Sequence, residues 1–269
     1  MTGLSSSELT TLGLTDRSNH NTNIRMIALF TDFGWQGPYV GQMKAVLYKQ
    51  APGKPIVDLM HDAPTFNPRS AAYLLASLVN SFVKETVFLC VIDPGVGNAQ
   101  RKPVIVKADD FWFVGPDNGL FNVIAKRAKS LEWWDITWRP DNLSNTFHGR
   151  DLFAPVAALL SNGKMYDVKQ EYNPQQRILP DWGDELAEII YIDNYGNCMT
   201  GVRAGSIDVN TKLEIANCSL SRESTFSNVA EGQAFWFENS CGLVEIAMNK
   251  LSISKKLGLA EGNKVVFSN

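Results

Sequence analysis

The sequence predicts an α/β N-terminal domain, with a mostly parallel sheet flanked by helices, followed by a C-terminal all-β, barrel-like domain. Three observations predict it. From Ile24 onward, short apolar runs of strand length alternate with longer segments of helical period, the pattern of βαβ units. After "PDWGDE" (180–185) the texture changes to closely spaced β-rich runs separated by Gly, Asn and Ser turns. The chain has 269 residues, 45% of them hydrophobic, enough for one large core and a smaller second one.

Taken in order, residues 1–23 are rich in Ser, Thr and Asn and read as a disordered leader, without the apolar stretch of a signal peptide. The α/β domain is placed at 24–182. It opens with a strand in "MIALFTDFG", a helix in "GPYVGQMKAVLYKQAPG" and a strand in "PIVDLMH". A helix from about Pro68 to Phe82 follows, with Asn67 as N-cap and Pro68 in the first turn, where its missing N–H is no loss. Then come strands in "TVFLCVID", "PVIVKA", "FWFVGP" and "LEWWDIT", and a helix in "LFAPVAALLSNG" that Gly163 ends. With the boundary at 182–188, the β domain is placed at 188–269, its strands in "EIIYIDNYGNCMTGV", "KLEIANCSL", "QAFWFENSCGLVEIAMN" and "NKVVFSN".

Composition removes several classes of function. A net charge of -3 offers no basic face on which nucleic acid could be held by its phosphates. No run of about 18 apolar residues is present, so no membrane span is expected. Cys90, Cys198, Cys218 and Cys241 are far apart and form no CxxC pair, which fits reduced thiols and a cytoplasmic location.

Ligands of open parallel sheets bind beyond the carboxyl ends of the strands. Three polar residues sit where an apolar strand gives way to a Gly-containing turn: Asp32 in "ALFTDFG", Asp93 in "CVIDPGVG" and Asn118 in "FVGPDNG". Each one also fits a simple Asx-turn. A carboxylate at a partly buried strand end needs a cationic or hydrogen-bonding partner to stay ionised, and Arg101, returning after the Gly turn, is a candidate. A guanidinium does not release its proton, so proton traffic falls to the Asp or to a third group. His148, in "NTFHGRDLFAP" at a helix entry, is that third candidate; the other histidines are His20 in the leader and His61 in "DLMHDAP". Together these residues point to an Asp/Arg/His group that positions and polarises a water molecule.

Competing signatures fail. "TDFG" matches the kinase metal-binding tripeptide, yet no Gly-rich loop precedes it and no HRD occurs. "GVG" lacks the third glycine of a dinucleotide fingerprint, and GxxxxGK[ST], GxSxG and HExxH are absent. No metal ligand set is assigned; such a site would have to be built mainly from carboxylates.

Six motifs in fixed order, "TDFG", "IDPGVG" with its following Arg, "GPDNG", "TFHGRDLFAP", "IDNYGN" and "NSCG", resemble the S-adenosyl-L-methionine hydroxide adenosyltransferase family, relatives of the bacterial fluorinating and chlorinating enzymes. The resemblance spans about residues 25–269. It implies an α/β domain and a β-barrel, a homotrimer with active sites at subunit contacts, and attack of water-derived hydroxide on C5′ of S-adenosylmethionine to give adenosine and L-methionine. No cofactor is implied; S-adenosylmethionine, a small-molecule nucleoside, is the substrate. By the same resemblance Asp93, Arg101 and His148 activate the water, Asp32 holds the ribose hydroxyls, Asp193 receives the methionine amino group and Asn197 the adenine edge. Phe66, Phe147 and Phe226, in loops beside the motifs, are candidates for apolar walls or for stacking on adenine, and core packing accounts for any one of them equally well.

The chemistry suits the residues. A sulfonium departs as a neutral thioether and needs no general acid, so the task is to align and polarise one water. At Ser240-Cys241 the halogenating relatives have Ser-Arg, so the guanidinium that would clamp the methionine carboxylate beside Ser240 is missing. Two other readings stand beside hydrolysis: a halogenating enzyme, and a non-catalytic protein that binds S-adenosylmethionine or adenosine.

Overall fold

The computed structural model of the protein describes residues 25–98, 100–165, 167–171 and 173–268. The leader expected at 1–23 lies outside the described residues.

The N-terminal part is a seven-stranded sheet between two layers of helix. Its strands are β1 (Ile27–Thr31), β2 (Ile56–Met60), β3 (Val87–Val91), β4 (Pro103–Ala108), β5 (Phe111–Pro116), β6 (Leu131–Ile136) and β7 (Val168–Glu171). The order is β2-β1-β3-β5-β4-β6-β7. Pairing is parallel across β2, β1, β3 and β5 and antiparallel where β4, β6 and β7 join. The change of direction has a local cause. Only Asp109 and Asp110 separate β4 from β5, too few residues for a crossover, so the chain must form a hairpin. Asp109 takes the left-handed φ of 51° that a tight hairpin requires, and its carboxylate accepts from the N–H groups of Lys129 and Ser130 at 2.9 Å.

The central strands are apolar on both faces because both faces are covered. Ala28, Phe30, Phe88 and Cys90 point to one side, against α2 (Pro68–Leu78) and α3 (Asn122–Arg127). Ile27, Leu29, Val87, Leu89 and Val91 point to the other, against α1 (Tyr39–Gln50) and α4 (Ala154–Ser161). Asn67 caps α2 as expected, its Oδ1 accepting from Ser70 N–H at 3.1 Å. That helix is shorter than the sequence suggests: it tightens into a 3-10 turn over Val79–Ser81, and Phe82 is extended.

The C-terminal part consists of two antiparallel sheets. One has the order β12 (Ala234–Glu238), β13 (Leu243–Met248), β9 (Cys198–Arg203), β8 (Leu186–Ile192); the other has β11 (Cys218–Leu220), β10 (Lys212–Ile215), β14 (Val266–Ser268). Trp236, fully buried, centres their shared core and donates its indole N–H to Thr211 O at 3.2 Å. The two parts also share apolar material. Leu186, Ile190 and Leu243 of the C-terminal sheets belong to the cluster under α2, and Tyr73 of that helix donates to Gly183 O at 2.6 Å. Among the described residues no helix is long and apolar enough to cross a membrane.

Candidate active site

The site is built on the carboxyl ends of β1 and β3. Beyond β3 the chain makes three successive turns, closed by Val96 N–H to Asp93 O, Asn98 N–H to Gly95 O and Arg101 N–H to Asn98 O at 3.3, 3.1 and 3.0 Å. These turns bring Arg101 back onto Asp93, and its guanidinium Nη1 donates to Asp93 Oδ1. Gly95 is what makes the approach possible: a Cβ there would stand 2.6 Å from Arg101 Nη1. The Asp93 side chain is 7% exposed and that of Arg101 24%, so the pair is largely withdrawn from solvent.

His148 arrives from the head of α4, the helix that covers the Leu89 and Val91 face of the sheet. The loop before it is clamped by Asp151, whose Oδ2 accepts from Ser144 N–H at 3.0 Å and whose two oxygens take a forked pair of bonds from Arg150 at 2.6 and 2.9 Å. Hydrogen bonding from Arg150 holds the Asp151 carboxyl below the ordinary carboxylate range. Arg150 also bonds Gln42 Oε1 of α1 at 2.7 Å and lies over the Phe147 ring at 5.1 Å. The five residues Gly149–Phe153 form a π-helical turn at the head of α4, with His148 at its N-cap. Such turns insert one extra residue and so re-aim the side chains at their start.

Two cavities meet here. The larger, of about 620 Å³, is lined by Asp32, Phe66, Asp93, Phe147 and His148 among others. The smaller, of about 120 Å³, is lined by Asp93, Arg101 and His148 together with Lys102 and Arg139. Asp93, His148 and Phe153 line both and form the wall between them. Asp32 accepts at 3.0 Å from the N–H of Phe66, which is held at φ 56° and is 73% exposed. A non-glycine residue in that conformation is strained, and here the strain sets an aromatic ring at the cleft mouth. Burial pushes the Asp32 carboxyl above its usual range; the Phe66 N–H opposes this, and nearby Asp93 adds to it.

The remaining predicted residues lie elsewhere. Asp193, Asn197 and Phe226 line a separate cavity of about 480 Å³ in the C-terminal part. Asp193 organises it by accepting from Tyr195 N–H, Asn197 N–H and Asn197 Nδ2 at 2.9, 2.9 and 3.1 Å. Asn118 lines neither strand-end cavity; its Nδ2 donates to Ile92 O at 2.8 Å and its Oδ1 accepts from Leu120 N–H at 3.2 Å, so it ties the β3 and β5 exits together. Ser240 is exposed and lines none of these three cavities. Sequence reasoning missed Tyr39, Phe33 and Arg150, all of which line the large cleft. Arg150 and Phe33 lie inside the motifs "TFHGRDLFAP" and "TDFG", while Tyr39 lies outside them; Tyr39 and Phe33 both pack on Phe147, with ring centroids 5.3 and 6.0 Å away.

An α/β sheet with a strand-end cleft, backed by a carboxylate, a guanidinium and an imidazole and joined to an antiparallel β unit, defines a small-molecule enzyme. The family models described as the SAM hydroxide adenosyltransferase N-terminal and C-terminal domains match residues 27–169 and 187–266, and the chain belongs to this family. The (R)-S-adenosyl-L-methionine hydrolase of Thermus thermophilus is 35% identical over 259 residues, covering 90% of this chain and 99% of its own. A protein of the same name from Salinispora tropica is 30% identical, covering 89% of this chain and 96% of its own. A fluorinase from Nocardia brasiliensis is more distant, at 22%. Among solved structures, an uncharacterized conserved protein from Thermotoga maritima superposes with a TM-score of 0.78 at 31% identity, covering 91% of this chain and all of the other.

Proposed function

We propose that the protein hydrolyses S-adenosyl-L-methionine to adenosine and L-methionine. The observation that carries this reading is the common wall: Asp93 and His148 face both a cleft of nucleoside size and a small polar cleft that also contains Arg101. Water oxygen attacks C5′ as the C5′–S bond breaks, the electron pair stays on sulfur, and methionine leaves as a neutral thioether. Arg101 fixes the Asp93 carboxylate, and Asp93 with His148 orients the water and receives its proton. Positive charge on sulfur fades along this path. The aromatic lining from Phe33, Tyr39 and Phe147 suits it, because a carboxylate against the sulfonium would stabilise the substrate more than the transition state. Asp32 takes the ribose hydroxyls, and Phe66 closes over the nucleoside.

The substrate residues of the C-terminal part reach the same ligand through assembly. The cavity around Asp193, Asn197 and Phe226 shares no lining residue with the N-terminal cleft. Both have an exposed aromatic ring in their lining, Phe66 in one and Tyr195 in the other, 73 and 77% exposed. A homotrimer that seats one copy's C-terminal cavity over its neighbour's cleft joins them, with Asp193 on the methionine amino group and Asn197 on the adenine edge. We read the C-terminal part as barrel-like, placing the boundary at 182–188. Bridges between Glu188 and Lys264 and between Arg222 and Trp236 link the outer strands of the two sheets and support closure. The location is read as cytoplasmic from the four unpaired cysteines.

The test is incubation of the purified protein with each sulfonium epimer of S-adenosylmethionine, the R form being the one in the relatives' name, followed by chromatography for adenosine and methionine. Adenosine from neither epimer above an Asp93→Asn control removes the assignment. Halogenated nucleoside formed in chloride or fluoride would favour the halogenating reading, and tight binding without turnover the non-catalytic one.

A further inference from the structure

Displacement at a saturated carbon needs the incoming atom on the side opposite the leaving sulfur. With the nucleoside and its sulfonium filling the larger cleft, the reacting water sits against Asp93 and His148 and must be replaced at every turnover. The smaller cleft reaches the same two residues. Its 120 Å³ has room for about four waters at liquid density. Its lining includes two exposed cationic side chains from different elements, Lys102 at the start of β4 and Arg139 after β6. Neither is bonded to the Asp93 group. Lys102 Nζ is tethered to Asp135 Oδ2 at 2.6 Å, and Arg139 Nη1 to the carbonyls of Ile136 and Trp138 at 2.7 and 2.8 Å. Each side chain is thus held by its own anchor, away from Asp93.

We propose that this small cleft is the entry by which water reaches Asp93 and His148 while substrate occupies the larger one, and that Lys102 and Arg139 set the width of its mouth. The inference rests on the hydrolase reading. It gives the two side chains a role in access; neither touches substrate or the reacting atoms.

Narrowing the mouth at each of the two side chains tests it. Lys102→Trp and Arg139→Trp, made separately in the full chain, should each lower kcat roughly tenfold with KM for S-adenosylmethionine changed less than about twofold, since they obstruct the second reactant and not the first. Lys102→Ala should retain hydrolysis. With azide as a larger probe nucleophile, it should also raise the ratio of 5′-azido-5′-deoxyadenosine to adenosine above the wild-type ratio. In that product a C5′–N bond forms as the C5′–S bond breaks, and no proton is transferred. Damage to the fold would lower both products together and move the thermal midpoint, leaving the ratio unchanged. Tryptophan variants with wild-type kcat and thermal midpoint overturn the route while leaving hydrolysis standing; absence of adenosine from the wild type overturns the hydrolase reading itself.

Discussion

Two arginine–carboxylate groupings occupy the same end of the sheet and differ in what surrounds them. Arg101 meets Asp93, and the pair faces open space in the small cleft. Arg177 is enclosed: it bonds Asp117 at 2.6 Å, both oxygens of Asp135 at 2.9 and 3.1 Å and Glu171 at 3.3 Å, while Lys102 closes the far side of Asp135. All three nitrogens of the Arg177 guanidinium bond carboxylates of the protein itself. Burial keeps the Asp117 carboxyl above its usual range even with Arg177 beside it, as when desolvation outweighs attraction. The lesson is that residue type and position at a strand end do not distinguish a carboxylate that faces a cavity from one enclosed by the protein. What distinguishes them is whether the surroundings leave hydrogen-bonding capacity facing a cavity.

Substitutions can break that contrast, and the largest effect is expected at Asp93. Asp93→Asn removes charge with little change of shape and should lower turnover by roughly 10²–10⁴-fold while leaving the denaturant midpoint near wild type; a variant that unfolds instead would place Asp93 with the Arg177 group. The opposite pattern is expected of Arg177→Leu, which strands Asp117 in a half-buried site, leaves Asp135 with Lys102 alone and should cost about 3–5 kcal/mol in urea unfolding. Gly95→Ala sharpens the comparison from within the site, because the added methyl group must displace the Arg101 guanidinium. A shift of about 1 Å corresponds to a rate loss of the order of 10²-fold, to be measured as kcat at saturating substrate. Asn118→Ala loses the bond to Ile92 O and should cost about 1 kcal/mol of stability with KM little changed.

The smallest effect is the pH response of Asp32. Its folded-state pKa lies above the ordinary 3.8, so the ionised form is lost as pH falls through a range higher than for an exposed aspartate. If Asp32 holds the ribose hydroxyls as a carboxylate, KM should rise on acidification through that range and the rise should vanish in Asp32→Asn. The stability term has the other sign: a raised carboxyl pKa favours the folded state at low pH and loses that contribution as pH rises.

Much of this was legible in the sequence because the signals were local. The strand runs, the Asn67–Pro68 helix start and the Asp-Pro-Gly turn each lie within a few residues, and so did the His148 motif. The hairpin of β4 and β5 was equally local, in the two residues between "PVIVKA" and "FWFVGP", yet the surrounding βαβ pattern hid it. Arg177 was not legible at all. It comes from 60 residues beyond Asp117, in a segment with no strand or helix period, and only the fold brings it home. Asn118 was singled out where its neighbour Asp117 carries the charge, since an Asx-turn and a ligand contact read alike in one dimension.

The seam beneath α2 bears on how such a chain can be divided. Ala72, Tyr73 and Ala76 share one buried cluster with Leu186, Ile190 and Leu243, so the two segments matched by separate family models are stitched along one greasy strip. Excising either half would leave that strip wet. Protease nicking between them should therefore yield a clipped pair that still travels together through a sizing column.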